Sequence, residues 1–144
     1  MHVRITRLDP RAALPAQQHD DDAGYDLCAI EPARLEPAGG RALVRTGLAV
    51  AIPTGYAGFV LPRSGLALKH GIAVVNAPGL IDSQYRGELK VLLLNTDPGD
   101  EYEVSPGDRI AQLVIQKVEY VEWAEVDSLD ETKRDTFGFG STGT

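Results

Sequence analysis

One cysteine, Cys28, stands in 144 residues, so no disulfide can close within the chain and a cysteine-rich zinc site is excluded. Histidine is almost as scarce. His2, His19 and His70 are scattered, with no HExxH or similar metal spacing. No apolar run approaches the ~20 residues that a membrane helix needs. The first residues, Met1 to Arg7, lack the long apolar stretch of a secretory signal. A reducing, cytoplasmic setting with no membrane partner is therefore expected. Cations are outnumbered as well, 14 Lys and Arg against 21 Asp and Glu, for a formal charge of −7. So acidic a chain is not expected to track a nucleic-acid backbone. A small anionic substrate stays open, because a few local arginines can override the global field.

What is present is a series of short apolar segments separated by turn chemistry. Val3 and Ile5 alternate with polar residues, as in an edge strand. Arg41 to Pro53, Tyr56 to Leu61, Ile72 to Val75, Leu89 to Leu94 and Ile110 to Val121 read as further strands. Clusters of Gly, Pro, Asn and Asp punctuate them. This spacing predicts an all-β protein, a β-sandwich or barrel, and 15 Gly with 9 Pro leave little room for long helices. One short helix is predicted from Ser64, read as its N-cap, to Gly71 as its stop. Asn76-Ala77-Pro78-Gly79 reads as a hairpin turn. The chain divides into a barrel over 1–126 and a C-terminal arm over 127–144. The arm ends in a Gly/Phe-rich stretch that reads either as a frayed terminus or as a flexible lid that orders on a ligand.

Several constellations carry candidate chemistry. Pro62-Arg63-Ser64-Gly65 joins a strand to the helix, placing a hydroxyl, open N–H groups and a forked cation together, which suits a phosphate; a plain helix start is the alternative. In Gly79-Leu80-Ile81-Asp82-Ser83-Gln84-Tyr85-Arg86-Gly87-Glu88, Asp82 lies at a strand end. An Asp there can be half-buried and held still, as a general base on water requires; it can equally be a turn former. Tyr85 can pack on a ligand ring or sugar, or fill the core. Asp20 to Asp22 read as a solvated acidic loop, while Asp26, between Tyr25 and Leu27, is harder to dismiss. The tail spells GxGxxG at Gly138, Gly140 and Gly143, with no strand before it or helix after it, so a dinucleotide-binding reading fails. Ser64 has no GxSxG elbow, so a nucleophilic hydrolase is not expected.

These segments together resemble the trimeric dUTPase (deoxyuridine triphosphate nucleotidohydrolase) family. Five motifs occur in the family's order: Ala23 to Leu27, Pro62 to Ala67, Gly79 to Glu88, Gly107 to Leu113, and Arg134 to Gly143. The resemblance implies a jelly-roll or β-barrel fold assembled as a homotrimer with active sites between subunits, hydrolysing dUTP to dUMP and pyrophosphate. Asp82 would activate water for attack on the α-phosphorus. Arg63, Ser64, Gly65 and Gln112 would hold the phosphates, joined by Arg134, Gly140, Ser141 and Thr142 of the tail. Asn76 and the backbone of Gly79, Leu80 and Ile81 would read uracil, with Lys90 on the strand lining that pocket. Tyr85 would pack on the deoxyribose and exclude a 2′-hydroxyl, and Phe139 would stack over the base. Mg²⁺ would bind mainly through the triphosphate and water, with Asp26 supporting the metal's water network.

The tail departs from the family pattern at Asp135 and Phe137, where glycine is usual, which predicts a weaker or differently arranged lid. Two rivals remain. A dCTP deaminase would need a Glu in the base pocket, and Glu88, past the turn, is a poor candidate. A nucleotide-binding regulator without turnover would have no need of Asp82.

Overall fold

The computed structural model describes residues 1–132. Arg134, Phe139, Gly140, Ser141, Thr142, Asp135 and Phe137 lie outside them, and so do the two readings of the tail.

The described residues form antiparallel strands and one helix, as expected of an all-β jelly roll. Strand β1 (Arg4–Arg7) pairs with β5 (Leu48–Ala51), and β3 (Ala33–Leu35) pairs with β10 (Tyr102–Val104). A four-stranded sheet runs in the order β2 (Tyr25–Cys28), β11 (Arg109–Lys117), β6 (Tyr56–Leu61), β8 (Gly79–Ile81). A three-stranded sheet runs β4 (Arg41–Arg45), β9 (Lys90–Asn95), β7 (Ile72–Val74). Period-2 alternation sets the inward faces. On β9, Val91, Leu93 and Asn95 are buried while Leu92 and Leu94 are only partly so. They meet Leu27, Leu35, Val44, Leu48 and Ile110 in one core. Truncating a leucine at this depth, Leu93→Ala for instance, costs about 2–5 kcal/mol.

Two polar side chains among the described residues, Asn95 and Thr46, are fully buried, and both are satisfied. Asn95 donates to the carbonyls of Leu35 and Asp100 and accepts from the Asp97 N–H. Thr46 Oγ1 donates to the Leu89 carbonyl at 2.6 Å.

The predicted run from Arg41 to Pro53 divides at Gly47. Its φ of +68° is left-handed, and a Cβ there would crowd Ala12, Asp9 and Ile30. The last strand is shorter than predicted. It ends at Lys117, where pairing with β6 ends, rather than running to Val121. Two further readings are corrected. Helix α1 (Ser64–His70) takes Arg63, not Ser64, as its N-cap, with no side-chain capping bond; Gly71 stops it in the left-handed region, as predicted. Asn76 to Gly79 is not a hairpin turn. Strand β7 lies in the three-stranded sheet and β8 in the four-stranded one, so this turn carries the chain between sheets.

Candidate functional site

Tertiary pairing sets Asp26 of β2 opposite Gln112 of β11, which in turn faces Leu61 at the end of β6. Two residues past Leu61, Arg63 reaches back across this row. Its Nε donates to Asp26 Oδ1 at 3.0 Å, and Arg109 Nη1 donates to Oδ2 at 3.4 Å. Arg63 Nη1 also donates to the Arg109 carbonyl. Asp26 is 3% exposed, so this is an almost buried carboxylate with both oxygens on guanidinium groups. It holds two arginines side by side, Arg63 partly buried and Arg109 exposed. Gln112 is half-buried beside it. A Cβ on Gly24 would come within 3.3 Å of its side chain, so glycine there gives Gln112 its berth. Ser64 and Gly65 lie exposed in the first turn of α1. A Cβ on Gly65 would meet nothing within 4 Å among the described residues, so its glycine is not required for packing against them. Arg109 was missed as a site residue, because the pair it makes with Asp26 spans 83 positions and leaves no local trace.

A second assembly surrounds a cavity of about 410 Å³ lined by Leu43, Leu80, Ile81, Asp82, Tyr85, Glu88 and Lys90. Five of these seven are sequence-predicted site residues. Strand β8 is the edge strand of its sheet, so the outer backbone groups of Gly79 to Ile81 have no strand partner among the described residues. Asn76 and Gly79 lie next to each other, the Asn76 amide 3.3 Å from where a Gly79 Cβ would stand, but neither lines the cavity. None of Asp26, Arg63, Gln112 and Arg109 lines it either.

Asp82 is exposed, so of the two readings offered for it the half-buried one is not met. Its carbonyl accepts the Tyr85 N–H at 3.1 Å, closing a turn, while its carboxylate has no hydrogen bond or ion pair among the described residues. Asp82 is therefore held through its backbone. Tyr85 is 44% exposed, and its hydroxyl donates to the Glu88 carbonyl at 2.9 Å. It faces the cavity and is not a core filler.

Glu88 does line the cavity, contrary to its dismissal from sequence. Its carboxylate is nonetheless committed. It accepts Arg45 Nε at 3.1 and 3.0 Å and the Gly47 N–H at 2.9 Å. The pair raises the pKa of Arg45 above its ordinary value. A carboxylate so occupied is not available as a base for water at a cytosine ring.

No group of three or more His, Cys, Asp and Glu that could hold a metal occurs among the described residues. Asp22 is spent on its own turn, accepting the His19 N–H.

An antiparallel β fold that presents a clamped arginine pair and, separately, a half-apolar cavity lined by Asp82, Glu88 and Lys90 has the make-up of a small-ligand-binding β protein. The dUTPase family model matches residues 11–143. The deoxyuridine 5′-triphosphate nucleotidohydrolase of Thermobifida fusca is 57% identical over 143 residues, covering 99% of this chain and 79% of that protein. Its counterpart in Mycobacterium leprae strain TN is 54% identical, covering 98% and 94%. Among solved structures, a mutant dUTPase of Staphylococcus bacteriophage 80alpha with dUpNHpp superposes with a TM-score of 0.91 at 29% identity, covering 99% of both chains. A mutant dUTPase from phage phi11 of S. aureus, whose structure reveals the coordination of a structural Mg(II) ion, superposes at 0.82 with 28% identity, covering 89% of this chain and 98% of that one. The chain belongs to the dUTPase family.

Proposed function

We propose that this chain hydrolyses dUTP to dUMP and pyrophosphate, with Asp82 as the base that activates water at the α-phosphorus. The observation that carries this reading is the cavity that gathers Leu80, Ile81, Asp82, Tyr85 and Lys90 in a chain matched to the family almost end to end. The reaction needs no covalent nucleophile. It needs positioning, charge stabilisation and one proton acceptor. An exposed carboxylate whose backbone is pinned and whose oxygens are unshared among the described residues suits the acceptor.

The arginine clamp supplies the charge stabilisation. Asp26 orients Arg63 and Arg109 before the substrate arrives, so little ordering cost falls on the binding step. Ser64, Gly65 and Gln112 stand at the same end of the sheet and would complete the phosphate site, together with Arg134, Gly140, Ser141 and Thr142 of the arm. Asn76 and the outer edge of β8 would read uracil, Lys90 would flank it, and Phe139 would cover it. Tyr85 would face the deoxyribose.

The described residues do not build a cage for Mg²⁺, and both oxygens of Asp26 are engaged by arginines. We therefore propose that Mg²⁺ is held through the triphosphate and water, with Asp26 no nearer than the outer water network. Bound there, it would neutralise part of the phosphate charge.

The phosphate-holding cluster and the cavity are distinct in a single chain. That arrangement supports a homotrimer whose sites are completed by a neighbouring subunit, with 1–126 as the barrel and 127–144 as the arm. In this reading the protein works in the cytoplasm, keeps uracil out of DNA and supplies dUMP for dTMP synthesis. No helix among the described residues is long and apolar enough to cross a membrane.

The test is pyrophosphate release from dUTP with Mg²⁺, with dCTP, dTTP and UTP as controls. Turnover of dUTP alone, lost in Asp82→Asn while binding persists, supports the reading. Ammonia release from dCTP would move the protein to the deaminases. Binding without turnover would make it a sensor.

A further inference from the structure

Tyr85 cannot owe its position to packing alone, since 44% of it is exposed and it stands in a loop. Its hydroxyl end is what is anchored. It donates to the Glu88 carbonyl, and a Cβ on Gly87 would collide with that hydroxyl and the ring. Glycine at 87 thus lets the ring lie flat against the loop backbone. Glu88 is itself immobilised from the other side. Its carboxylate, 11% exposed, is gripped by Arg45 and by the N–H of Gly47 in the β4–β5 turn. The next residue, Leu89, is buried; it donates to the Leu48 carbonyl at 2.7 Å and accepts from Thr46. A continuous path of bonds therefore joins the core to the free end of the Tyr85 ring, through Leu89 and Glu88.

We propose that Glu88, gripped by Arg45 and Gly47, is a positioning residue that holds the Tyr85 ring as an unyielding wall and so sets how strictly the site refuses a ribose 2′-hydroxyl. The inference rests on the reading that Tyr85 faces the sugar. A wall rejects one added oxygen atom only if it does not recede, because an apolar surface by itself discriminates weakly against an added hydroxyl. A ring fixed only at its Cα swings on χ1 and χ2. A ring fixed at both ends does not. The carboxylate of Glu88 acts here through the backbone, and it touches neither the proton in transit nor the phosphate.

The experiment compares kcat/KM for dUTP and for UTP in the full-length protein carrying Glu88→Ala, Glu88→Gln, Tyr85→Phe or Tyr85→Ala, with thermal melts to confirm folding. Glu88→Ala and Tyr85→Phe are each expected to lower the dUTP-to-UTP ratio on the order of tenfold, chiefly through faster UTP turnover. Glu88→Gln keeps an acceptor for Arg45 and Gly47 and is expected to hold the ratio within about threefold of wild type. Tyr85→Phe removes the tether without disturbing Glu88, so it decides the matter should Glu88→Ala fail to fold. If Tyr85→Ala collapses the ratio while Tyr85→Phe leaves it at the wild-type value, the tether is irrelevant and the proposal is overturned, though Tyr85 remains the wall. Equal losses for both substrates in folded Glu88→Ala also overturn it, since they mark a merely structural residue. An unchanged ratio in Tyr85→Ala removes the wall itself, and with it the reading beneath the proposal.

Discussion

Asp26 and Asp82 are both site carboxylates, and the chain treats them in opposite ways. Asp26 sits inside a strand, almost fully buried, with both oxygens bound to arginines. Asp82 sits just past a strand, exposed, with its backbone tied into a turn and its carboxylate unshared among the described residues. The first has lost its freedom to react and become an organiser of cations. The second keeps its lone pairs for a reaction. A carboxylate whose oxygens are both engaged by guanidinium groups has no lone pair turned to a substrate.

The largest expected effect separates the two. Asp82→Asn should cost about 10²–10⁴-fold in kcat with little change in the melting temperature, because the residue is tied by one backbone turn and its side chain makes no hydrogen bond or ion pair among the described residues. Asp26→Asn should do the reverse in part. Removing the charge that compensates the partly buried Arg63 and the exposed Arg109 should cost about 1–3 kcal/mol of stability in chemical unfolding and raise KM for dUTP. If Asp26→Asn instead spared stability and abolished kcat, the contrast between organiser and base would collapse.

A smaller effect sharpens the phosphate side. Gly65→Ala meets nothing within 4 Å among the described residues, and alanine is the better helix former by about 0.5–1 kcal/mol. The melting temperature should hold or rise while KM for dUTP rises, as expected if the triphosphate uses the space that glycine leaves. An unchanged KM would place the phosphates elsewhere.

The smallest effect reports on the charge of Asp26. Burial, and then the negative charge of Asp26, hold the Cys28 thiol above its ordinary pKa, with Arg109 and Arg63 opposing. A raised pKa means less thiolate at a given pH. Alkylation of Cys28 by iodoacetamide should therefore be slow near neutrality and gain speed only above the ordinary thiol range. Asp26→Asn should accelerate it, and Arg109→Ala should slow it. Acceleration in both variants would mean that opening of the fold, not charge, controls the thiol.

Local chemistry was the most legible layer. Tyr56 to Leu61 appears as β6 with the predicted ends, and Gly71 stops the helix as predicted. Ser64 was misread as a cap because its residue type favours that position, while the backbone after Pro62 enters the helix one residue earlier. Asn76 to Gly79 was misread because turn chemistry is the same whether the flanking strands pair with each other or leave for different sheets.

Composition, periodicity and the order of five short motifs were thus enough to establish an all-β chain, its family and Asp82 as the candidate base, since those depend on residues near one another in sequence. The roles of Asp26, Arg109, Arg45 and Glu88 were decided only in three dimensions. Each rests on a contact spanning 37 to 83 positions. Such contacts exist because β-sheet registry brings distant strand ends side by side, and no local pattern of side chains encodes which ends will meet.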